Sequence, residues 1–252
     1  MSKHLYVMVG VPSTEVWTAR FGMSLCSMVA DFTSAPIEGY AEQRIQVRNK
    51  KGSILPQLRY QLAKEALAAG ASHLLFVDSD QSFPADTLRR LLEAKKPVVA
   101  CNVVTKQYPF TPTARRKSEK NPTGEVVYTV PGGERYERVW RVGTGVMLIE
   151  TYVFEVLPKP WFLDTYKPDV DDLGGEDWYF CSLLEQAGIW VYVDHELSWE
   201  VGHCGMQEYD HRMAINARFV QEQTGRRENE NREQETEDVR RLRSDLQVGG
   251  GA

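Results

Sequence analysis

Apolar residues along this chain fall into two kinds of block. Unbroken runs, as in Leu5–Val11 (LYVMVGV), His73–Val77, Val98–Val104 (VVACNVV), Val146–Ile149 and Ile189–Asp194 (IWVYVD), have the length and closure of buried strands. Between them, apolar residues recur at helical spacing. Trp17, Phe21, Leu25 and Met28 predict a helix over about 15–29 with all four as core. Leu55, Leu58, Leu62, Ala66 and Leu67 follow Ser53 and predict a second helix, closed by Gly70. Pro84 stands in the first turn of a third, bearing Leu88, Leu91 and Leu92, which Gln81-Ser82-Phe83-Pro84 opens. Thr151 is placed to cap a short helix with Phe154 and Leu157, stopped by Pro158, and Gly174-Gly175-Glu176-Asp177-Trp178 starts one that runs to Gly188.

Residues 31–44 read as connection, and Arg44–Arg48 alternates like a short strand. The order up to residue 104 is β-α-β-α-β-α-β. It predicts an α/β fold with a mostly parallel central sheet and helices on both faces. From 105 to 140, Pro109, Pro112, Pro122, Pro131, Gly132 and Gly133 break the pattern. Glu125–Val130 and Arg138–Val142 are expected to pair there as a hairpin or flap.

At 252 residues with 42% apolar content, the chain is long enough for one large α/β domain or two small ones, and a single domain is expected over 1–212. Residues 213–252 form a charged tail of both signs, either a solvated helix or disordered. A net charge of −5 gives no overall pull toward nucleic acid or anionic membrane. The start of the chain lacks signal-peptide regions and no window approaches a membrane span, so a cytoplasmic location is expected. Cys26, Cys101, Cys181 and Cys204 have no paired spacing, which argues for free thiols and against a zinc knuckle.

Candidate chemistry begins where the third strand ends, at Asp78-Ser79-Asp80. Ligands of open α/β sheets collect at such carboxyl edges. Two carboxylates one residue apart, with no Lys or Arg nearby in sequence, repel each other. A hard divalent cation, Mg²⁺ or Mn²⁺, would resolve this. The plainer reading makes Asp78 a turn residue and Asp80 a helix N-cap. Gly10-Val11-Pro12-Ser13-Thr14 ends the first strand without a Gly-rich phosphate fingerprint, so neither a P-loop nor a dinucleotide site is supported. Arg59, on a helix, reads as a solvated side chain. Arg115-Arg116-Lys117 reads as a solvated loop or a contact for a polyanionic acceptor. Glu176-Asp177 at a helix start and His203 after the last strand complete the set, and each alone is as easily structural.

Together, the Asp-x-Asp of LLFVDSD, the VGTGVMLI strand, the GGEDWYFC helix start and VYVDHELSWEVGHCG resemble the GT-A glycosyltransferases. The likeness is to compact bacteriophage and bacterial members related to family 2, over most of residues 5–210. The resemblance implies that Asp78 and Asp80 with His203 hold Mn²⁺ or Mg²⁺, with Asp80 the direct ligand and Asp78 reaching the ribose or a metal-bound water. It implies that Pro12, Ser13, Thr14 and the helix bearing Arg59 bind the base and diphosphate of a nucleoside-diphosphate sugar. Asp177, with Glu176 as the other candidate, would be the base that activates the acceptor hydroxyl. The acidic residue that often reads the nucleobase on the second strand is not evident here. The acceptor could be a hydroxymethylated base in phage DNA, reached through Arg115, Arg116 and Lys117, or a glycan. Two other readings share the fold: a nucleotidyltransferase acting on a sugar phosphate, and a non-catalytic nucleotide- or glycan-binding module.

Overall fold

A computed structural model describes residues 3–168, 171–205 and 207–226. The chain runs β1 (Lys3–Ser13), α1 (Ala19–Ser34), β2 (Tyr40–Lys51), α2 (Leu55–Ala68), β3 (His73–Val77), β4 (Gln81–Ser82), α3 (Thr87–Glu93) and β5 (Val98–Ala100). It continues with β6 (Arg115–Arg116), β7 (Glu125–Val126), β8 (Tyr136–Val139), β9 (Val146–Glu150), α4 (Tyr152–Val156), β10 (Thr165–Lys167) and β11 (Asp172–Gly174). Last come α5 (Glu176–Gln186), β12 (Val191–Asp194), α6 (His195–Ser198), β13 (Gly202–Cys204) and β14 (Glu208–Tyr209).

The main sheet has 7 strands in the order β2-β1-β3-β9-β5-β12-β8. β1, β2, β3, β5 and β12 run one way, and β9 and β8 run against them. The fold is thus mixed α/β with a mostly parallel sheet. Strand alternation divides its side chains between two cores. Val7, Val9, Val11, Leu75 and Val77 meet Phe21, Leu25, Met28 and Phe32 of α1 on one face. Met8, Leu74 and Phe76 meet Leu62, Ala63 and Ala66 of α2 on the other. Gly10 lets α2 approach closely, because a Cβ there would lie 3.2 Å from Leu74 and 3.4 Å from Leu62.

Several elements differ from the sequence expectation. α1 begins later because Thr18 caps it, accepting from the Phe21 amide at 3.2 Å. Trp17 therefore precedes the helix, 41% exposed and edge-on to Phe21, and is not core; Phe32 extends the buried stripe instead. β2 is longer than Arg44–Arg48 because it pairs with β1 along that strand's whole length. Gln81 and Ser82 do not open a helix: they form β4 and pair with β13, so Asp80 is no N-cap and α3 starts at Thr87. β5 stops at Ala100, since Asn102 turns into a buried hydrogen-bond network with Ala114, Val127 and Ser198. Glu125–Val130 does not pair with 138–142. β7 pairs with β6, β8 closes the main sheet against β12, and Arg115 bridges to Arg141. The Thr151 hydroxyl donates to the Ala71 carbonyl at 2.5 Å and does not cap α4.

All four cysteines are free thiols. Residues 211–226 are helical and seat Ala214 and Ala217 against the body, so the chain beyond 212 is partly packed. The rest of the expected tail, 227–252, lies outside the described residues. Among the described residues, no helix is long and apolar enough to cross a membrane.

Candidate active site

β1 and β3 end side by side, and a cleft of about 280 Å³ opens at their carboxyl edge. Pro12, Ser13, Thr14, Asp78, Asp80 and His203 line it. A larger cavity of about 440 Å³ lies at the opposite edge of the sheet, beside Tyr40, His73 and Glu150, away from these groups. Two backbone bonds set the cleft floor: the Asp78 amide donates to the Gly145 carbonyl at 2.9 Å, and the Cys204 amide to the Asp80 carbonyl at 2.6 Å.

Arg59 is not solvated. It is 2% exposed, and its Nε donates to Glu176 Oε1 at 2.9 Å while Nη2 donates to Asp78 Oδ1 at 2.8 Å. The expectation that the paired aspartates lack a nearby cation is therefore wrong: α2 brings one up beneath them. Burial pushes the Asp78 carboxyl above its usual range, and Arg59 offsets only part of that effect.

Asp80 behaves oppositely. Burial acts to raise it, but hydrogen bonds with His203 and Lys106 and their charges prevail and hold it at about 2. The Lys106 ammonium lies directly on Asp80 Oδ2, a partner that nothing in the Pro-rich stretch around it signals. His203 Nδ1 is 2.8 Å from the Val104 carbonyl oxygen. A carbonyl only accepts, so Nδ1 carries the hydrogen and Nε2 is left facing Asp80 Oδ2 at 3.4 Å.

Asp80 and His203 thus meet as expected, whereas Asp78 turns to Arg59. The expected three-residue cage is not formed: among the described residues, no group of three His, Cys, Asp or Glu side chains is arranged to hold a metal ion.

At the start of α5, Glu176 is buried against Arg59 and Asp177 is half-buried. Asp177 Oδ1 accepts from the Trp178 amide at 2.7 Å, and a Cβ on Gly175 would lie only 3.0 Å from that oxygen. Burial, with the Glu176 charge beside it, raises the Asp177 carboxyl to about 6. Glu176 is thus committed to Arg59, while the carboxyl of Asp177 beside it is the raised one.

The basic run is not an open cationic patch. Arg116 pairs with Glu137 at 2.7 Å, Lys117 with Glu185 at 2.5 Å, and Arg115 donates to the Pro112 and Ala114 carbonyls.

No protein-family model matches the chain, and no curated protein matches it. Among solved structures, the crystal structure of A197 from STIV aligns with a TM-score of 0.45 and 16% identity, covering 79% of this chain and 85% of that one. The match records a distant structural relationship and says nothing of chemistry.

Proposed function

We propose that this protein is a glycosyltransferase that moves a sugar from a nucleoside-diphosphate donor to an acceptor hydroxyl, with Mn²⁺ or Mg²⁺ held at Asp80 and His203. The observation that carries this reading is the approach of His203 Nε2 to Asp80 Oδ2 at 3.4 Å in the cleft. Nδ1–H is committed to a carbonyl, so Nε2 is the ring atom that faces the ionised carboxylate. In place of the proton that would otherwise join them, a cation can be held between this nitrogen and the carboxylate. A ring nitrogen tied to a backbone carbonyl is also the usual support of a metal-ligating histidine. Magnesium sites are commonly made from one or two protein donors plus substrate phosphates, so Asp78 need not ligate. When bound, the cation offsets the charge that grows on the departing diphosphate.

The remaining work belongs to the chain's own groups. Pro12, Ser13 and Thr14 wall the nucleotide side of the cleft, and Asp78, braced by Arg59, forms its floor. Asp177, at about 6, is mostly ionised at neutral pH yet basic enough to take the acceptor proton, a role typically worth ~10²–10⁴-fold. Hydroxymethylated DNA bases and glycans both offer a suitable hydroxyl. A nucleotidyltransferase would use a Gly-, Lys- or Arg-rich triphosphate loop after β1, which Pro12-Ser13-Thr14 lacks.

One observation favours a second, metal-free version. The Lys106 ammonium already sits on Asp80, so the same ammonium could carry the charge of the leaving diphosphate. Incubation with a panel of nucleotide sugars, with Mn²⁺ or with a chelator, tests both. Nucleoside-diphosphate release that needs Mn²⁺ and is lost in Asp80→Ala supports the first. Release that persists under chelation but is lost in Lys106→Met supports the second. No release from any donor under either condition refutes glycosyl transfer.

A further inference from the structure

Arg141 stands between β8 and β9, locked in place by the Arg115 amide donating to its carbonyl at 2.8 Å. Its guanidinium carbon lies over two indoles, 3.9 Å from the Trp140 ring centre and 4.9 Å from that of Trp178. Trp178 is the residue after Asp177, so the stack adjoins the candidate base. Trp140 is fixed in turn, its indole N–H donating to Glu185 at 2.7 Å.

The guanidinium itself has no polar partner among the described residues: its Nε is buried without a hydrogen bond. Of the two carboxylates whose charges reach it, Glu185 is committed to Lys117 and the Trp140 indole, and Asp177 accepts from the Trp178 amide. Burial lowers the Arg141 pKa, and the charges of Glu185 and Asp177 only partly oppose it. A half-buried cation left unpaired is costly, and that cost falls when a ligand brings the missing anion.

With two indoles against it and Nε buried, the guanidinium can be reached through its two Nη nitrogens. A planar fork of that kind, weakly hydrated and pre-oriented, suits bidentate recognition of a phosphate or carboxylate. We propose that Arg141 binds an oxyanion carried by the acceptor, positioning a neighbouring hydroxyl at Asp177. The placement of the acceptor rests on the glycosyltransferase reading; the oxyanion site does not.

The two are tested separately. In the first arm, tryptophan fluorescence of the full chain is titrated with inorganic phosphate and with acetate, in wild type, Arg141→Gln and Arg141→Lys. A saturable response, weakened at least about tenfold in Arg141→Gln and partly restored in Arg141→Lys, is expected. No saturable response, or the same response in all three proteins, overturns the oxyanion site. In the second arm, nucleoside-diphosphate release is followed with a hexose, its 6-phosphate and its uronate as acceptors. The better charged acceptor tells phosphate from carboxylate. Its advantage over the hexose should fall to about one in Arg141→Gln. Equal stimulation by neutral and charged acceptors in wild type overturns the acceptor assignment. Phosphate binding through Arg141 without turnover of any nucleotide sugar would instead refute glycosyl transfer and leave the oxyanion site standing.

Discussion

Replacing Arg59 with Met keeps most of the side-chain volume and removes the cation that pairs with Asp78 and Glu176. Two charged hydrogen bonds vanish, at 2.8 and 2.9 Å, each contributing about 1.5–3 kcal/mol. Their sum agrees with the ~3–5 kcal/mol measured when a buried pair loses one partner, since the survivor stays buried and uncompensated. For a domain of this size that corresponds to a fall in Tm of roughly 6–20 °C. The pH dependence sharpens the test. Asp78 already has a folded pKa above its unfolded value, so its contribution is intact at low pH and is lost as pH rises through the folded value. Without Arg59 that folded value climbs further, and the destabilisation should grow from about pH 4 to about pH 8. Urea unfolding of wild type and Arg59→Met at both pH values measures it, and adding Glu176→Gln should recover part of the loss. A cost below about 1 kcal/mol, or one independent of pH, would mean that Arg59 is not the internal counter-ion described.

Asp177→Asn should lower transfer ~10²–10⁴-fold while nucleotide affinity, read by calorimetry, stays near wild type. Because Asp177 is raised from 3.8 to about 6 in the fold, its ionisation opposes folding. The Asn variant should therefore be more stable above that pH, by up to about 3 kcal/mol, with the advantage gone below about pH 4. Equal stability at pH 8 would contradict the shift. Mn²⁺ with a nucleoside diphosphate should raise Tm, and His203→Ala should remove the Mn²⁺-dependent part; Lys106→Met should enlarge it, since the variant lacks the competing ammonium. Reversing Arg116 to Glu should disturb the pairing with Glu137 and cost about 1 kcal/mol or less at low salt; a larger change confined to DNA affinity would point to a polyanion contact instead.

Much of the sheet was readable because β1, β3, β5, β9 and β12 are buried on both faces and appear as apolar runs. β2 was only half visible, since its side chains are largely exposed and its length is set by pairing to β1. β4, β6 and β7 have two residues each, and no periodicity exists at that length. The chemistry divides the same way. Asp78, Asp80, Asp177 and His203 announce themselves at element ends. Their partners do not: Arg59 lies 19 residues from Asp78 and 117 from Glu176, and Lys106 lies 26 from Asp80. Spacing records what is local, and the counter-ions here are brought in by distant segments, Arg59 by α2 crossing under β3 and Lys106 by the stretch after β5.

That assembly makes the two aspartates unequal. The cation of Asp78 is part of the core: Arg59 is 2% exposed, stacked 5.3 Å from the Phe76 ring and tied to Glu176 as well, so it cannot leave without breaking the base of the site. The cation of Asp80 stands on a flexible four-carbon stem, with Lys106 33% and Asp80 32% exposed, so it can exchange with water or ligand. Asp78 is therefore occupied permanently, and Asp80, with His203 at its side, is the position where an incoming charge can be exchanged. Asp80 already stands apart in the sequence as the expected direct ligand, and the fold adds a physical difference: Asp78 is tied to a buried cation and Asp80 to an exchangeable one.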